Sequence, residues 1–267
     1  MARLVCIDID NTLIHFNSSN EMFLPPENVS TIQRAISQGI HVSICTGRMP
    51  NSALKIAEQV GLDKCYMICY NGALIMKGSE IIYESRLSGL PLEKCLSVIQ
   101  SNGVYAQFYD GPSYFVDTKQ PQTDLYEQKI LVKVAVIGGE VYTKKSYSKI
   151  LVLPKDFDEK KKWLPLFSTI EGICVTESCS NYIEITSSGS TKGEAVKALG
   201  SILSIPQSQI MAIGDSYNDV SMLEFAGLPV IMGNADDALK NKGWYVTSTC
   251  ECAGVSQAMQ KFCHLIN

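Results

Sequence analysis

The stretch from residue 3 to residue 13 reads Arg-Leu-Val-Cys-Ile-Asp-Ile-Asp-Asn-Thr-Leu and sets the organisation of the chain. Residues 3–9 are mostly apolar with several β-branched side chains, which is typical of a strand buried on both faces of a parallel sheet. Ligands of such sheets bind where the strands end, so Asp8 and Asp10 are candidates for one ligand site. The alternative is a turn whose acids cap a helix.

Outward from this stretch, helical and strand-like segments alternate at both ends of the chain. The first end continues with a helix that opens at Pro25–Pro26 and stops at Gly39, a strand at 40–45, a helix at 51–60 and a strand at 66–70. The far end has a helix from Lys192 to about 203, a strand at 209–213, a helix at 218–226, a strand at 228–231 and a helix ending near 264. This alternation predicts an α/β fold with a parallel sheet and right-handed crossovers.

The middle of the chain has a different pattern. The runs 73–76 and 80–84 flank Lys77-Gly78-Ser79 and predict a hairpin. Beyond them come helices at 91–101 and 155–168 and short strand-like runs at 104–109, 113–117, 131–137, 148–153, 171–175 and 181–186. We therefore predict a doubly wound, Rossmann-like core formed by residues 1–83 and 188–267, with residues 84–187 inserted as an α+β domain.

Composition excludes several classes of protein. Of the 267 residues, 46% are hydrophobic and 19% charged, which is enough apolar material for a core and excludes a disordered chain. The net charge of −4 argues against nucleic acid as a partner. Apolar runs fall short of the roughly 18 residues that span a bilayer, and acids interrupt the N-terminus, so we expect no membrane partner and a cytoplasmic location. Ten cysteines without a C-x-x-C pair, with three histidines, make structural zinc improbable.

Three further motifs join the two acids. Gly214-Asp215-Ser216-Tyr217-Asn218-Asp219 follows a predicted strand and offers two acids where a helix cap needs one, and such hard oxygen ligands suit magnesium. Thr46-Gly47-Arg48 follows another strand and offers a hydroxyl and backbone N–H groups for a phosphate oxygen. Lys192 opens a predicted helix; by itself it would be read as a solvated surface lysine.

Together these motifs resemble the haloacid dehalogenase superfamily of phosphotransferases. A large insert between the second and third motifs is similar to the Cof-type (subfamily IIB) sugar-phosphate phosphatases. The matching residues are Asp8, Asp10, Thr12, Thr46-Gly47-Arg48, Lys192, Gly214-Asp215 and Asn218-Asp219, with smaller matches at Asn71-Gly72-Ala73 and Met232-Gly233-Asn234-Ala235. The resemblance covers both ends of the chain, but it covers the insert only by its length and its α+β style. It implies that the insert is a cap domain that selects the substrate.

The resemblance implies a magnesium-dependent phosphatase of small phosphorylated metabolites, sugar phosphates or similar. Asp8 would attack phosphorus to give an aspartyl-phosphate. Asp10 would protonate the leaving oxygen and later deprotonate water, and crowding by other carboxylates is expected to keep it protonated. Magnesium would take the Asp8 and Asp215 carboxylates and the Asp10 carbonyl. Phosphate and substrate would be held by Ile9, Thr46, Gly47, Lys192 and Asn218, supported by Thr12, Arg48, Asn71, Gly72 and Asp219.

Several alternatives stay open at this point. Arg48 either touches substrate or forms an ion pair near its loop, and Asp219 is expected to orient metal-bound water. Selectivity candidates in the insert are Tyr109, Asp110, Tyr114 and Lys133. The competing functions are a phosphotransferase such as a hexose-phosphate mutase, and a non-catalytic metabolite sensor. We expect the protein to be a monomer or a small homo-oligomer.

Overall fold

The strands and helices follow from a computed structural model that describes residues 1–16, 21–130, 132–178 and 182–266. The strands, in chain order, are β1 Leu4–Ile7, β2 His15–Phe16, β3 Met22–Phe23, β4 His41–Cys45, β5 Tyr66–Cys69, β6 Leu74–Lys77, β7 Glu80–Glu84, β8 Leu87–Ser88, β9 Ala106–Asp110, β10 Ser113–Val116, β11 Ala135–Val136, β12 Ser146–Tyr147, β13 Lys149–Val152, β14 Ile173–Ser178, β15 Tyr182–Ser187, β16 Ile210–Gly214, β17 Leu228–Ile231 and β18 Tyr245–Val246. The helices are α1 Pro26–Ser37, α2 Pro50–Val60, α3 Gly89–Asn102, α4 Pro121–Ile130, α5 Phe157–Ser168, α6 Lys192–Ile202, α7 Val220–Phe225, α8 Asp237–Lys240 and α9 Gly254–Cys263.

The chain divides into two units by the contacts within each. The first unit comprises residues 1–48, 53–82 and 191–267, and the second comprises residues 49–52 and 83–190. Strand β7 crosses the division, since its last two residues belong to the second unit.

The first unit is built on an eight-stranded sheet in the order β18-β17-β16-β1-β4-β5-β6-β7. The pairings from β18 to β5 are parallel, and β6 runs antiparallel to β5. Because β1 pairs with β4 on one side and with β16 on the other, the strand order reverses beside β1. In parallel sheets the carboxyl ends at such a reversal form a crevice, and this confirms the predicted α/β fold with its doubly wound core.

The hydrophobic core explains why β1 lies in the middle of this sheet. All four β1 residues are fully buried, and Leu4 and Cys6 pack in one cluster with Ala195, Val196 and Leu199 of α6. Full burial of one such aliphatic side chain stabilises a fold by about 1.5–3 kcal/mol. The apolar run that leads to Asp8 is thus fixed by packing on both faces of the sheet.

The second unit contains a six-stranded sheet in the order β11-β10-β9-β13-β15-β14, whose strands pair antiparallel except for β10 with β11. Helices α3 and α5 cover one face, where Leu96 and Trp163 join a cluster with Phe108 and Ile150 from the strands. This mixture of helices on an antiparallel sheet is the α+β style that the sequence predicts.

Some elements differ from the sequence prediction. Helix α4 was not predicted, and of the run 131–137 the described part forms strand only at Ala135–Val136. The helix expected at 218–226 begins as a 3-10 turn at Tyr217–Asp219 before α7, and the short α8 and β18 were not predicted. Positions 131 and 181, where two predicted runs begin, lie outside the described residues. In the described part of the chain no helix combines the length and apolar character needed to cross a membrane.

Candidate active site

The turn after β1 exposes the end of the strand to a ligand. Asp8 N–H still donates to the Ile213 carbonyl of β16 at 3.0 Å. One residue after Asp8, the carbonyl oxygen of Ile9 accepts hydrogen bonds from the N–H groups of Thr12, Leu13 and Ile14, and these bonds close a turn. Asn11 adopts a left-handed conformation with φ 57°, which asparagine tolerates better than most residues. The chain therefore leaves the sheet immediately after Asp8.

Lys192 connects the start of α6 to the turn after β1. Its Nζ donates to Asp8 Oδ1 and to Asp219 Oδ1, both at 2.6 Å, and its side chain is fully buried. Burial alone would lower the pKa of Lys192, but the carboxylates of Asp219 and Asp8 outweigh it and raise the pKa above its ordinary value. Lys192 is therefore a fixed cation in the site and not a solvated surface lysine.

Asp219 shapes the loop after β16. Its Oδ2 accepts the backbone N–H groups of Asp215 at 2.9 Å and Ser216 at 3.0 Å, so both of its oxygens have partners. Gly214 makes room for it, because a β-carbon at that position would lie 2.4 Å from Asp219 Cγ. The buried Asp219 thereby holds Asp215 at the carboxyl end of β16.

Carboxylates gather at this edge of the sheet. Oxygens of Asp8, Asp215 and Asp219 all lie within 4.8 Å of one another, and Thr12 Oγ1 donates to Asp215 Oδ1 at 3.1 Å. Burial, and then the charge of Asp219, raise the pKa of Asp215 to about 7. Burial is also the largest cause that raises the pKa of Asp8 well above its usual range, against the opposing charge of Lys192. The site thus concentrates negative charge that its lysine does not neutralise.

Asp10 is not one of the three carboxylates grouped within 4.8 Å of one another, and it has a cation as its partner. Arg48 Nε donates to Asp10 Oδ2 at 2.9 Å and Arg48 Nη2 to Asp10 Oδ1 at 2.6 Å, while the Asp10 side chain is 46% exposed. Of the two alternatives for Arg48, the structure shows the ion pair. Besides burial, the charge of Asp10 is one of the causes that raise the pKa of Asp8 and of Asp215, so other carboxylates lie near Asp10 in addition to this guanidinium.

The loop after β4 lies beside the segment after β5. Thr46 is buried, and its Oγ1 accepts the N–H of Arg48 at 3.1 Å. A β-carbon at Gly47 would lie 3.0 Å from Asn71 Oδ1, and Asn218 Nδ2 donates to that same oxygen at 3.0 Å. Asn71 therefore joins the β4 loop to the β16 loop.

Gly72 brings the segment after β5 against the start of α6. Its φ is 104°, and a β-carbon there would lie 2.2 Å from the Thr191 carbonyl oxygen. Any side chain at position 72 would therefore displace the residue that precedes Lys192. The residues that the sequence analysis proposes for the core site thus come from four loops of the first unit and from the start of α6, and direct contacts join these segments.

Ser216 is a site residue that the sequence analysis missed. Its hydroxyl donates to Asn218 Oδ1 at 2.6 Å, and with Asp219 it forms a reciprocal capping box. The spacing Ser-x-x-Asp before a helix was the available signal. Cys45, one residue before Thr46, is fully buried, and burial raises the pKa of its thiol, which disfavours reactivity.

The four candidates in the insert have partners within the second unit. Tyr109 and Tyr114 are buried and stack on each other with ring centroids 5.2 Å apart. Asp110 accepts hydrogen bonds from Arg86 and Lys144. Lys133 donates to Glu127 at 3.2 Å. These contacts do not select among the four for substrate recognition.

Comparison with known proteins identifies the family of the chain. Residues 5–259 match the family of haloacid dehalogenase-like hydrolases. Phosphatase YwpJ of Bacillus subtilis is 27% identical over 97% of this chain and 99% of its own length. A second B. subtilis protein, 5-amino-6-(5-phospho-D-ribitylamino)uracil phosphatase YwtE, is 27% identical over 95% and 96% of the two chains. The solved structure of the haloacid dehalogenase subclass IIB sugar phosphatase BT4131 has the same fold, with a TM-score of 0.82 at 24% identity over 99% of this chain and all of that one.

The sequence motifs, the parallel sheet and the family match agree with one another. The chain belongs to the haloacid dehalogenase-like hydrolase family and is a phosphatase.

Proposed function

We propose that this phosphatase hydrolyses small phosphorylated metabolites, with Mg²⁺ as cofactor and a phosphoryl group held transiently on Asp8. The observation that carries the proposal is the group of carboxylate oxygens from Asp8, Asp215 and Asp219 within 4.8 Å of one another, with Lys192 bonded to two of these residues. A nucleophilic carboxylate, a fixed cation and excess negative charge at one strand edge suit transfer of a phosphoryl group.

The donor set fits magnesium. One carboxylate oxygen of Asp8 accepts a hydrogen bond from Lys192, and one of Asp215 accepts a hydrogen bond from Thr12. We therefore assign the second oxygen of each carboxylate, together with the Asp10 carbonyl, to Mg²⁺. Hard carboxylate and carbonyl oxygens are the ligands that Mg²⁺ prefers in proteins. Four carboxylates, those of Asp8, Asp10, Asp215 and Asp219, face two cations, Lys192 and Arg48. When bound, Mg²⁺ supplies the positive charge that lets this site accept a phosphate dianion.

The residues of the chain would then move the phosphoryl group in two steps. Asp8 forms a bond to phosphorus while the bond from phosphorus to the leaving oxygen breaks, and Asp10 gives that oxygen its proton. Water next attacks phosphorus, its proton passes to Asp10, and the bond to Asp8 breaks. Lys192 holds Asp8 in place, and Asp10, whose side chain is 46% exposed, would be accessible to both the leaving alcohol and water.

Phosphate oxygens would be bound by the loops around Asp8. We assign this binding to Lys192, the backbone at Ile9, the Thr46 hydroxyl, the Gly47 N–H and the Asn218 amide. The substrate class is supported by relatives whose names specify a phosphorylated ribityl compound and by the fold of a sugar phosphatase. Since these residues all belong to the first unit, we assign substrate selectivity to the second unit as a cap domain, with sequence bounds 84–187.

The decisive test is Asp8→Asn. We expect phosphate release from p-nitrophenyl phosphate and from a panel of sugar phosphates with Mg²⁺ to fall by at least about 1,000-fold, because the amide is a poor nucleophile. Mass spectrometry of acid-quenched wild-type enzyme should find a phosphate adduct on the peptide that contains Asp8, and the variant should lack it.

Asp158→Asn is the matched control, because Asp158 is an exposed acid on the first turn of α5. It should keep wild-type activity. If the Asp8→Asn variant hydrolysed substrate at nearly the wild-type rate, Asp8 would not be the nucleophile. An isomeric sugar phosphate as product, in place of free phosphate, would favour a mutase.

A further inference from the structure

Asn234 joins three segments near the turn after β1. It lies after β17, and its Nδ2 donates to the Asn11 carbonyl at 2.8 Å. Its Oδ1 accepts the backbone N–H of Cys250, also at 2.8 Å. One carboxamide therefore fixes two peptide groups that are distant from each other in the chain.

The loop that presents Asn234 is itself held closely. Gly233 N–H donates to the Ser248 carbonyl at 3.1 Å. A β-carbon at Gly233 would lie 2.8 Å from the Thr247 carbonyl oxygen, so the close approach requires glycine. The carboxamide is thus presented from a backbone that has little freedom to shift.

The peptide that Asn234 fixes lies between two groups of the site. Asn11 is in the left-handed conformation, directly after Asp10 and directly before Thr12. Asp10 is bonded to Arg48, and Thr12 donates to Asp215. Rotation of the Asn11 carbonyl would therefore displace the residues on both sides of it.

We propose that Asn234 is a positioning residue, which acts through the Asn11 carbonyl to aim the Asp10 carboxyl at the leaving oxygen. This inference rests on the proposed function, in which Asp10 protonates that oxygen. Proton transfer requires hydrogen-bond reach, and a displacement of about 1 Å costs a reaction roughly 100-fold. Asn234 contacts the Asn11 carbonyl and not Asp10 itself, so its effect on proton transfer is indirect, through the geometry of the turn that carries Asp10.

The dependence of rate on the leaving group tests the proposal. An alkyl phosphate such as glucose 6-phosphate needs a proton on its leaving oxygen, whereas the p-nitrophenolate of an aryl phosphate leaves without one. The ratio kcat/KM reports the step in which the alcohol departs. Asn234→Asp keeps the acceptor for Cys250 N–H and loses the donor to Asn11, and Asn234→Ala loses both without adding charge. For each variant we expect kcat/KM to fall about tenfold more for glucose 6-phosphate than for p-nitrophenyl phosphate.

The controls separate positioning from general damage. Asn102→Ala removes another amide that donates to a backbone carbonyl, that of Val98, and should change both substrates equally little. Circular dichroism verifies folding, and Asn234→Ser replaces any variant that fails to fold. Equal losses for the two phosphates would overturn the proposal.

Asp10→Asn distinguishes this failure from failure of the proposed function. If Asp10→Asn shows the leaving-group dependence and the Asn234 variants do not, the role of Asn234 is wrong and that of Asp10 stands. If Asp10→Asn shows no such dependence, Asp10 is not the acid, and both the inference and that part of the proposed function fall.

Discussion

Asp8 and Asp219 in the first unit share the ammonium of Lys192, whereas Asp110 in the second unit receives hydrogen bonds from both Arg86 and Lys144. The pKa values of Asp8 and Asp110 move in opposite directions. Burial raises the pKa of Asp8 and Asp215. Burial would also raise the pKa of Asp110, but hydrogen bonds from Lys144 and Arg86 outweigh it and lower the pKa.

The same contrast holds for Glu127 of the second unit. A hydrogen bond from the Val134 N–H, together with Lys119 and Lys133, lowers its pKa to about 2. Carboxylates that stabilise a fold are matched with cations and backbone donors, as in the second unit. Asp8 and Asp215 lie close to other carboxylates without such a full set of partners; this costs stability, which a bound cation would offset, and it separates the candidate site from ordinary ion pairs.

Removal of Lys192 should give the largest effect. Lys192→Met leaves Asp8 and Asp219 buried without their shared cation, so we expect kcat/KM to fall at least about 1,000-fold. The free energy of unfolding should fall by about 3–5 kcal/mol, measured by urea denaturation. Lys144→Met is the comparison, because Asp110 keeps Arg86, and its cost should be below about 1 kcal/mol. Similar costs for the two variants would contradict the contrast.

Magnesium should stabilise the first unit through Asp215. At a concentration 100 times its Kd, the ion should raise the free energy of unfolding by about 2.7 kcal/mol relative to protein in EDTA. Asp215→Asn should lose most of this gain in thermal unfolding, because one carboxylate ligand becomes a neutral amide. Asp110→Asn should keep it. An unchanged response in Asp215→Asn would place the cation elsewhere.

The smallest predicted effect concerns acid. The pKa of Glu127 falls from its ordinary value of 4.5 to about 2 on folding, so Glu127 contributes stability above pH 4.5 that is lost as the pH falls towards 2. Glu127→Gln should reduce the free energy of unfolding by about 1 kcal/mol at neutral pH and flatten its dependence between those values. Urea unfolding measured between about pH 2 and pH 4.5 checks this prediction. If the free energy of unfolding of the variant depended on pH as steeply as that of the wild type, Glu127 would not be the group responsible.

Much of the first unit was predictable because its strands are buried on both faces. A continuous apolar run such as Leu4–Ile7 has few alternatives, and the polar residues that follow it then lie at one edge of the sheet. Helix α4 was not predicted because its hydrophobic pattern is inverted. Thr123 and Glu127 are buried on it while Leu125 is 67% exposed, so periodicity gives no helical signal.

The sequence predicted which residues form the site better than it predicted which of these residues contact one another. The sequence left an ion pair of Arg48 open but did not identify Asp10 as its partner, because two residues 38 positions apart come into contact only through the register of β1 and β4. The link from Asn234 to Asn11 spans 223 positions and depends on the order of strands across the sheet. The local sequence pattern indicates what chemistry a residue can perform, whereas the topology of the sheet determines which other residue it contacts.

The contact of Gly72 with the Thr191 carbonyl has a consequence for engineering. Thr191 is the residue at which the chain returns to the first unit, so Gly72 packs the segment after β5 directly against that point of re-entry. A domain exchanged from a relative would have to rejoin the chain at this contact without displacing Lys192, the next residue. Glycine at position 72 is therefore a residue to retain in any such exchange.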